Sequence, residues 1–310
     1  MRQASPLLTA LLDRRQFCAL TAMGALSTSL GAATKEVRVL TAPTPNSQRA
    51  ILQSLRVRFP SLVSESNLGN FDARLSNTPL ITLGPVALKT ALESDVRGPV
   101  ISTFTSSQTF RRLVDASTRE RGVTGLYADA SPLAQLQLIA TLFERKVTVG
   151  VLISEASSHL ERALKQAAQQ TGLELLVHHT ELSQDPARAL NNLSGAQVLL
   201  ALPDSTLYTP DALRAVLEST YRRGLPVIGF SQATVAAGTL ASAYPDIDDI
   251  VADLGELLDN INMQANDALP EARFARYWRV IVNDNVARSM GIAITDKVRT
   301  LGTHPTGRMG

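Results

Sequence analysis

Residues 197–232 read QVLLALPDSTLYTPDALRAVLESTYRRGLPVIGFSQ, and they contain a complete strand, helix and strand. Gln197–Leu202 is nearly all apolar on consecutive positions, as a strand covered on both faces must be. Thr209-Pro210 then puts a capping hydroxyl before a proline at the first helical position, where a missing N–H costs nothing. The stretch 210–223 is amphipathic at helical spacing, and Pro226–Phe230 follows as a second apolar strand. A helix of that length between two buried strands is a right-handed crossover, so the two strands are parallel neighbours.

The same alternation runs through the chain from Glu36. Further strands are expected at Val37–Leu40, Leu80–Leu83, Pro99–Thr103, Val123–Tyr127, Val147–Ile153, Leu173–His178, Thr239–Ala243 and Tyr277–Val282. Between them lie amphipathic helices near 46–58, 85–94, 106–113, 131–143, 157–171, 186–193, 246–263 and 284–290, with Ser131-Pro132 and Asp185-Pro186 repeating the cap-then-proline signal. Ten strands divide more readily into two sheets than one. Val123–Tyr127 begins after the turn residue Gly122, and Thr239–Ala243 follows Gly238. If both are crossings, the segment between them is a separate lobe with its own β-α repeats. No Ser/Gly linker or low-complexity tract occurs at either place, so extended strands join the lobes and favour a hinge over a tether.

The first 33 residues read differently. Asp13-Arg14-Arg15-Gln16-Phe17 leads into an uncharged run, Phe17–Ala33, that closes on the small residues Gly31-Ala32-Ala33. A basic region, a moderately apolar region and a small-residue cleavage site form a secretory signal. The arginine pair followed by Gln-Phe resembles a twin-arginine export signal, which implies a periplasmic location. A short membrane anchor is the alternative, but about 17 residues interrupted by Gly24 and Gly31 are marginal for a hydrocarbon core of about 30 Å. No later stretch is long and apolar enough to span, so no membrane span is expected in the mature chain. Cys18 sits at the start of the apolar run, not at its end where lipid attachment would need it.

Composition narrows the function. The 310 residues are 45% hydrophobic and 19% charged, ordinary globular values that exclude disorder and collagen-like repeats. A single cysteine allows neither an internal disulfide nor a Cys-x-x-Cys metal or redox site. Removing the three arginines and one aspartate of the first 33 residues leaves 27 bases and 27 acids, so nothing points to nucleic acid or anionic lipid as a partner. There is no Gly-rich phosphate loop, and no cofactor is expected. His178 and His179 are adjacent on a strand and face opposite sides, while His159 and His304 are isolated, so no metal site is expected either.

One segment carries a catalytic signature. Gly229-Phe230-Ser231-Gln232-Ala233 follows a strand and approximates the G-x-S-x-G nucleophile elbow with alanine in the last place. Asp246, Asp248 or Asp249 could serve as the acid, but the only later histidine is His304, in a 295–310 tail expected to be flexible, where a base is poorly held. The other reading is a strand-to-helix turn whose serine caps the helix or touches a ligand.

The segment Ala201–Tyr208, the following helix and Tyr221–Ser231 resemble the substrate-binding proteins of ABC transporters, in the group related to tryptophan and tyrosine transport components. Val235–Ser242 is similar to that group's "V-x-x-G-A-L-A-S" segment, Gly122-Val123-Thr124-Gly125 to its "N-V-T-G" strand, and Val280–Asn283, Val286-Ala287 and Gly291-Ile292 to its C-terminal ending. The likeness covers roughly 120–294, with 36–119 agreeing only in overall pattern. Ile101–Phe110 departs from it, lacking the Gly-Val-x-Asp-Pro type of turn common in the family. The resemblance implies an α/β fold of two Rossmann-like lobes with parallel sheets joined by three crossovers, the type I periplasmic-binding-protein fold. The implied lobes are 34–125 with 240–264, and 126–239 with 265–294. It also implies a monomeric, non-catalytic solute receptor that closes over a small molecule and delivers it to the permease of an ABC importer. An exported sensor or scaffold without an importer is the alternative, and a serine hydrolase using Ser231 a third.

In parallel α/β sheets ligands gather beyond the carboxyl ends of the strands. The loops there hold Thr44, Ser47, Gly84, Thr105, Ser106, Ser154, Glu155, Asp204, Ser205, Tyr208, Ser231 and Gln232, the expected ligand-binding set. Hydroxyls at helix starts, backed by free N–H groups, suit a carboxylate. Asp204 and Glu155 are the acids that could hold an ammonium, or else serve as turn and cap residues. Tyr208 and Phe104 could stack on a ring or close the interface between lobes.

Overall fold

The computed structural model describes residues 37–42, 48–67, 78–118, 122–181, 184–261 and 269–306. The expected export signal lies outside the described residues. The chain opens with β1 (Val37–Leu40), α1 (Arg49–Arg58), β2 (Leu62–Glu65), β3 (Leu80–Leu83), α2 (Gly84–Leu92), β4 (Val100–Thr105), α3 (Ser107–Asp115) and β5 (Val123–Tyr127). It continues through α4 (Pro132–Phe143), β6 (Thr148–Ile153), a 3₁₀ segment (Glu155–Leu160), α5 (Glu161–Thr171), β7 (Glu174–His179), α6 (Pro186–Ala189), a 3₁₀ turn (Leu190–Leu193), β8 (Val198–Leu200), α7 (Pro210–Arg222), β9 (Val227–Ile228), α8 (Gln232–Ala237) and β10 (Ala241–Tyr244). Then come α9 (Ile247–Asn260), β11 (Arg273–Phe274), β12 (Trp278–Val282), α10 (Asp284–Ser289), α11 (Asp296–Arg299) and β13 (Gly302–Thr303).

The strands form two sheets. One has the order β11-β5-β4-β3-β1-β2 and is parallel throughout. The other, β13-β12-β10-β9-β8-β6-β7, is parallel from β10 to β7, with β12 and β13 antiparallel at its edge. Each sheet is covered on both faces, as its consecutive apolar positions require. In the first lobe, Val39, Ile81 and Ile101 pack against Leu52 and Leu55 of α1 and Val251 and Leu254 of α9. The opposite face buries Leu40, Leu80 and Val100 under Leu88 and Ala91 of α2 and Phe110 of α3. Each of the larger of these side chains contributes about 1.5–3 kcal/mol on burial, which holds α9 on the first sheet although it follows β10 of the second in the chain. Close approach fixes Gly125, because a Cβ there would stand 2.4 Å from the Ser102 carbonyl on the paired strand.

The lobe boundaries differ from those implied by the sequence. Ala241–Tyr244, expected in the first lobe, belongs to the second sheet, between β9 and β12. Gly238, with φ +123°, ends α8 and does not mark a crossing. The chain passes between lobes at Ala128–Ala130, at Pro245-Asp246 and between β11 and β12, with β11 returning to pair with β5. The expected flexible tail is corrected as well. Val298 of α11 is buried in the second core, and β13 pairs with β12, so the chain is anchored through the sheet edge. No described helix is long and apolar enough to cross a membrane.

Candidate functional site

The carboxyl ends of strands from both sheets meet at a crevice of about 1270 Å³. Phe104 at the end of β4 and Ala128 after β5 line it from the first lobe, with Ala50, Gln53 and Ser54 on α1. Phe230, Ser231 and Gln232 before and within α8, Tyr244 of β10 and His304 after β13 line it from the second. Phe104 holds a left-handed backbone, φ +56°, where the β4–β5 register shifts between Ser102 and Thr105. That conformation costs a bulky residue on the order of 1–3 kcal/mol, and a bulge of this kind re-aims a side chain beside a site.

Several expected ligand residues are engaged with the protein itself. Ser106 caps α3 by accepting from Thr109 N, and Ser231 caps α8 by accepting from Thr234 N at 3.2 Å within a reciprocal capping box. Ser154 caps the 3₁₀ segment in a second capping box. Glu155 is exposed on its first turn. Thr105 is buried in β4, and Gly84 with φ +81° begins α2, a backbone that favours glycine. Gln232 lines the crevice. Tyr208 is buried against Phe230 at 6.2 Å between ring centroids, and burial followed by the nearby Asp204 charge pushes its phenol up. Thr44 and Ser47 lie outside the described residues.

Asp204 is the hub of a buried polar cluster. Its Oδ2 accepts from Ser154 Oγ and Ser157 Oγ, both at 2.6 Å, and its Oδ1 from Thr206 Oγ1 at 2.6 Å and Thr206 N at 2.9 Å. Burial pushes this carboxyl up, but the hydrogen bonds from Ser154, Ser157 and Thr206 outweigh it and hold it below the usual carboxylate range. The cluster continues into the other lobe, where Gln108 Nε2 donates to Asp204 Oδ1 at 3.2 Å and Gln108 Oε1 accepts from Ser205 N at 3.1 Å. Asp204 therefore organises its own loop.

A second buried carboxylate went unrecognised in the sequence. Asp129, on the first crossing, is 4% exposed and accepts from Ser107 N and Ser107 Oγ, both at 2.6 Å. Burial pushes its carboxyl up to about 6, despite the lowering by those bonds. It borders a small void with Pro203 and Phe230 of the second lobe. The signal available was its place, an acid just beyond a strand end at a crossing. Arg279 stands at the crevice already engaged, with Nε and Nη2 donating to Asp249 at 2.9 and 2.7 Å and Nη1 2.9 Å from Asp246. No group of acids, histidines and cysteines that could hold a metal occurs among the described residues.

Comparison with known proteins bears on the same residues. A family model described as "ABC transporter substrate binding protein" matches residues 80–304, from β3 onward, which include strands of both sheets. The chain belongs to this family of ABC transporter substrate-binding proteins. Among solved structures, this substrate-binding protein is similar to the ligand-free, open structure of a substrate-binding protein with adhesive properties from Clostridium difficile, at TM-score 0.61 and 14% identity over 86% of this chain and 98% of that one. It is also similar to an ABC domain in complex with L-Trp from Streptococcus pneumonia, at TM-score 0.56 and 19% identity over the same shares. Identities this low show the fold alone. No curated protein matches the chain. The family makes this substrate-binding protein a solute-binding component of ABC transport.

Proposed function

We propose that this substrate-binding protein is an exported, periplasmic and monomeric receptor that closes over a small amphipathic carboxylate, an aromatic amino acid foremost, and presents it to an ABC permease without catalysis. The observation that carries the reading is the aromatic lining of the crevice, Phe104 from the first lobe and Phe230 from the second, with the buried carboxylate of Asp129, which has no cation among its hydrogen-bond partners in the described residues, on a small void that Phe230 also borders. A ligand ammonium supplies the missing charge at Asp129. The L-Trp complex of the streptococcal structure supports the same class of ligand. The Ser231 hydroxyl, committed to its capping box, speaks against a nucleophile.

Thermal unfolding of the purified protein with a panel of amino acids tests the proposal. An aromatic amino acid at a hundredfold excess over its Kd should add about 2.7 kcal/mol of stability, and its decarboxylated amine and deaminated acid should each add much less. Stabilisation by sugars alone, or an esterase activity lost in Ser231→Ala, would overturn it.

A further inference from the structure

Gln108 lies in the first turn of α3 in the first lobe, yet its side-chain hydrogen bonds among the described residues all run to the second. Its Nε2 donates to Asp204 Oδ1 at 3.2 Å, and its Oε1 accepts from Ser205 N at 3.1 Å and from Ser205 Oγ at 3.2 Å. It is 5% exposed and Asp204 1%. An amide fits this place as no charged side chain would, since it offers a donor to the carboxylate and an acceptor to the serine at once. Both halves are held in advance. The start of α3 is fixed by the Ser106 cap and by Asp129, which accepts from Ser107 N and Oγ. Asp204 is fixed by Ser154, Ser157, Thr206 and Leu207 N.

The partition of bonds matters. Of the six hydrogen bonds that Asp204 accepts, five come from its own lobe and one from Gln108. At this contact, separating the lobes leaves the carboxylate with its five own-lobe bonds and returns the Gln108 amide and Ser205 to water. Opening therefore strands no buried charge at Asp204, and closing gains three bonds here without any ligand atom.

We infer that Gln108, Asp204 and Ser205 form a latch that draws the empty receptor toward the closed arrangement, so that part of the ligand affinity is set by this contact and not by the ligand. The inference rests on the reading of the chain as a receptor whose lobes open and close. Any fall in the closed fraction lowers the apparent affinity in proportion when that fraction is small.

The test is made without ligand. Spin labels at Val86→Cys and Tyr221→Cys, 52% and 60% exposed on opposite lobes, report the distance between lobes in the full chain once its own thiol is removed by Cys18→Ser. The wild-type background should show a closed population, and Gln108→Ala should reduce the closed-to-open ratio about tenfold, three bonds of modest net worth being lost. Gln108→Glu, which sets a carboxylate against Asp204, should reduce it further. Should Gln108→Ala fail to fold, Ser205→Ala removes a single bond at an exposed residue and should reduce the ratio a few-fold. An unliganded wild type that is entirely open, or variants with an unchanged distribution, would overturn the latch. An open protein that still closes on an amino acid would overturn the latch while leaving the receptor reading intact. A failed ligand screen leaves the distance measurement interpretable.

Discussion

Replacing Asp129 by asparagine should make the protein more stable at neutral pH and should remove a specific pH dependence. The wild-type carboxyl titrates near 6 in the folded state against an ordinary 3.8, because burial outweighs its two bonds from Ser107. A folded value raised above the unfolded one means that the proton is bound more tightly in the native state. The associated stability is complete below pH 3.8 and is lost as pH rises through 6. At 1.36 kcal/mol per unit, the ionised buried carboxylate costs the native state about 3 kcal/mol at pH 7.5. Asparagine keeps an acceptor for Ser107 N, and the Ser107 hydroxyl can rotate to accept from its amide, so the site stays filled while the titration vanishes. Urea unfolding at half-unit intervals from pH 4 to 8 gives the difference between variant and wild type. That difference should climb by about 2.5 kcal/mol across the interval, with most of the rise between pH 4 and 6.5. A flat difference would refute the reasoning, since it would mean that Asp129 ionises as an exposed carboxyl does. An ammonium ligand should reverse the order at pH 7.5 by stabilising the wild type alone.

Arg279→Ala leaves Asp249, which is fully buried, without its bidentate partner, and should cost about 3 kcal/mol by chemical denaturation. His159, on the 3₁₀ segment, has its pKa lowered by burial first and then by Arg111 of α3, with Asp115 and Asp204 opposing, and its Nε2 is buried with no hydrogen-bond partner among the described residues. A depressed histidine favours the neutral form, so its share of stability is present above pH 6.5 and lost as pH falls. Wild type should lose stability relative to His159→Gln on acidification, and equal slopes would refute this. Ser231→Ala should cost about 1 kcal/mol through the lost cap of α8, read by thermal unfolding. Arg14→Lys with Arg15→Lys should retain the protein in the cytoplasm by cell fractionation, and normal export would refute the twin-arginine route.

The sequence by itself determined the strand and helix succession, because consecutive apolar runs and cap-then-proline starts are local signals that need no partner. It also determined the family, through the Ala201–Ser231 segment. Short strands escaped it: Leu62–Glu65, Arg273–Phe274 and Gly302–Thr303 are too brief and too polar to announce themselves and exist because a sheet edge offers them a neighbour. The lobe boundaries depended on which sheet had room for Ala241–Tyr244, a question of pairing with Val280–Val282 far along the chain. The site was legible as a set of loops and illegible as a set of roles. Serine before a helix reads identically whether it caps or binds, and only tertiary structure shows Ser154 turned onto Asp204 and Ser231 onto its own helix. Gln108 carried no local mark at all, and Asp129 only its place just beyond a strand end. Asp129 was set apart by burial at a crossing and Gln108 by an opposing lobe 96 residues away, and both conditions arise only when the chain has folded back on itself.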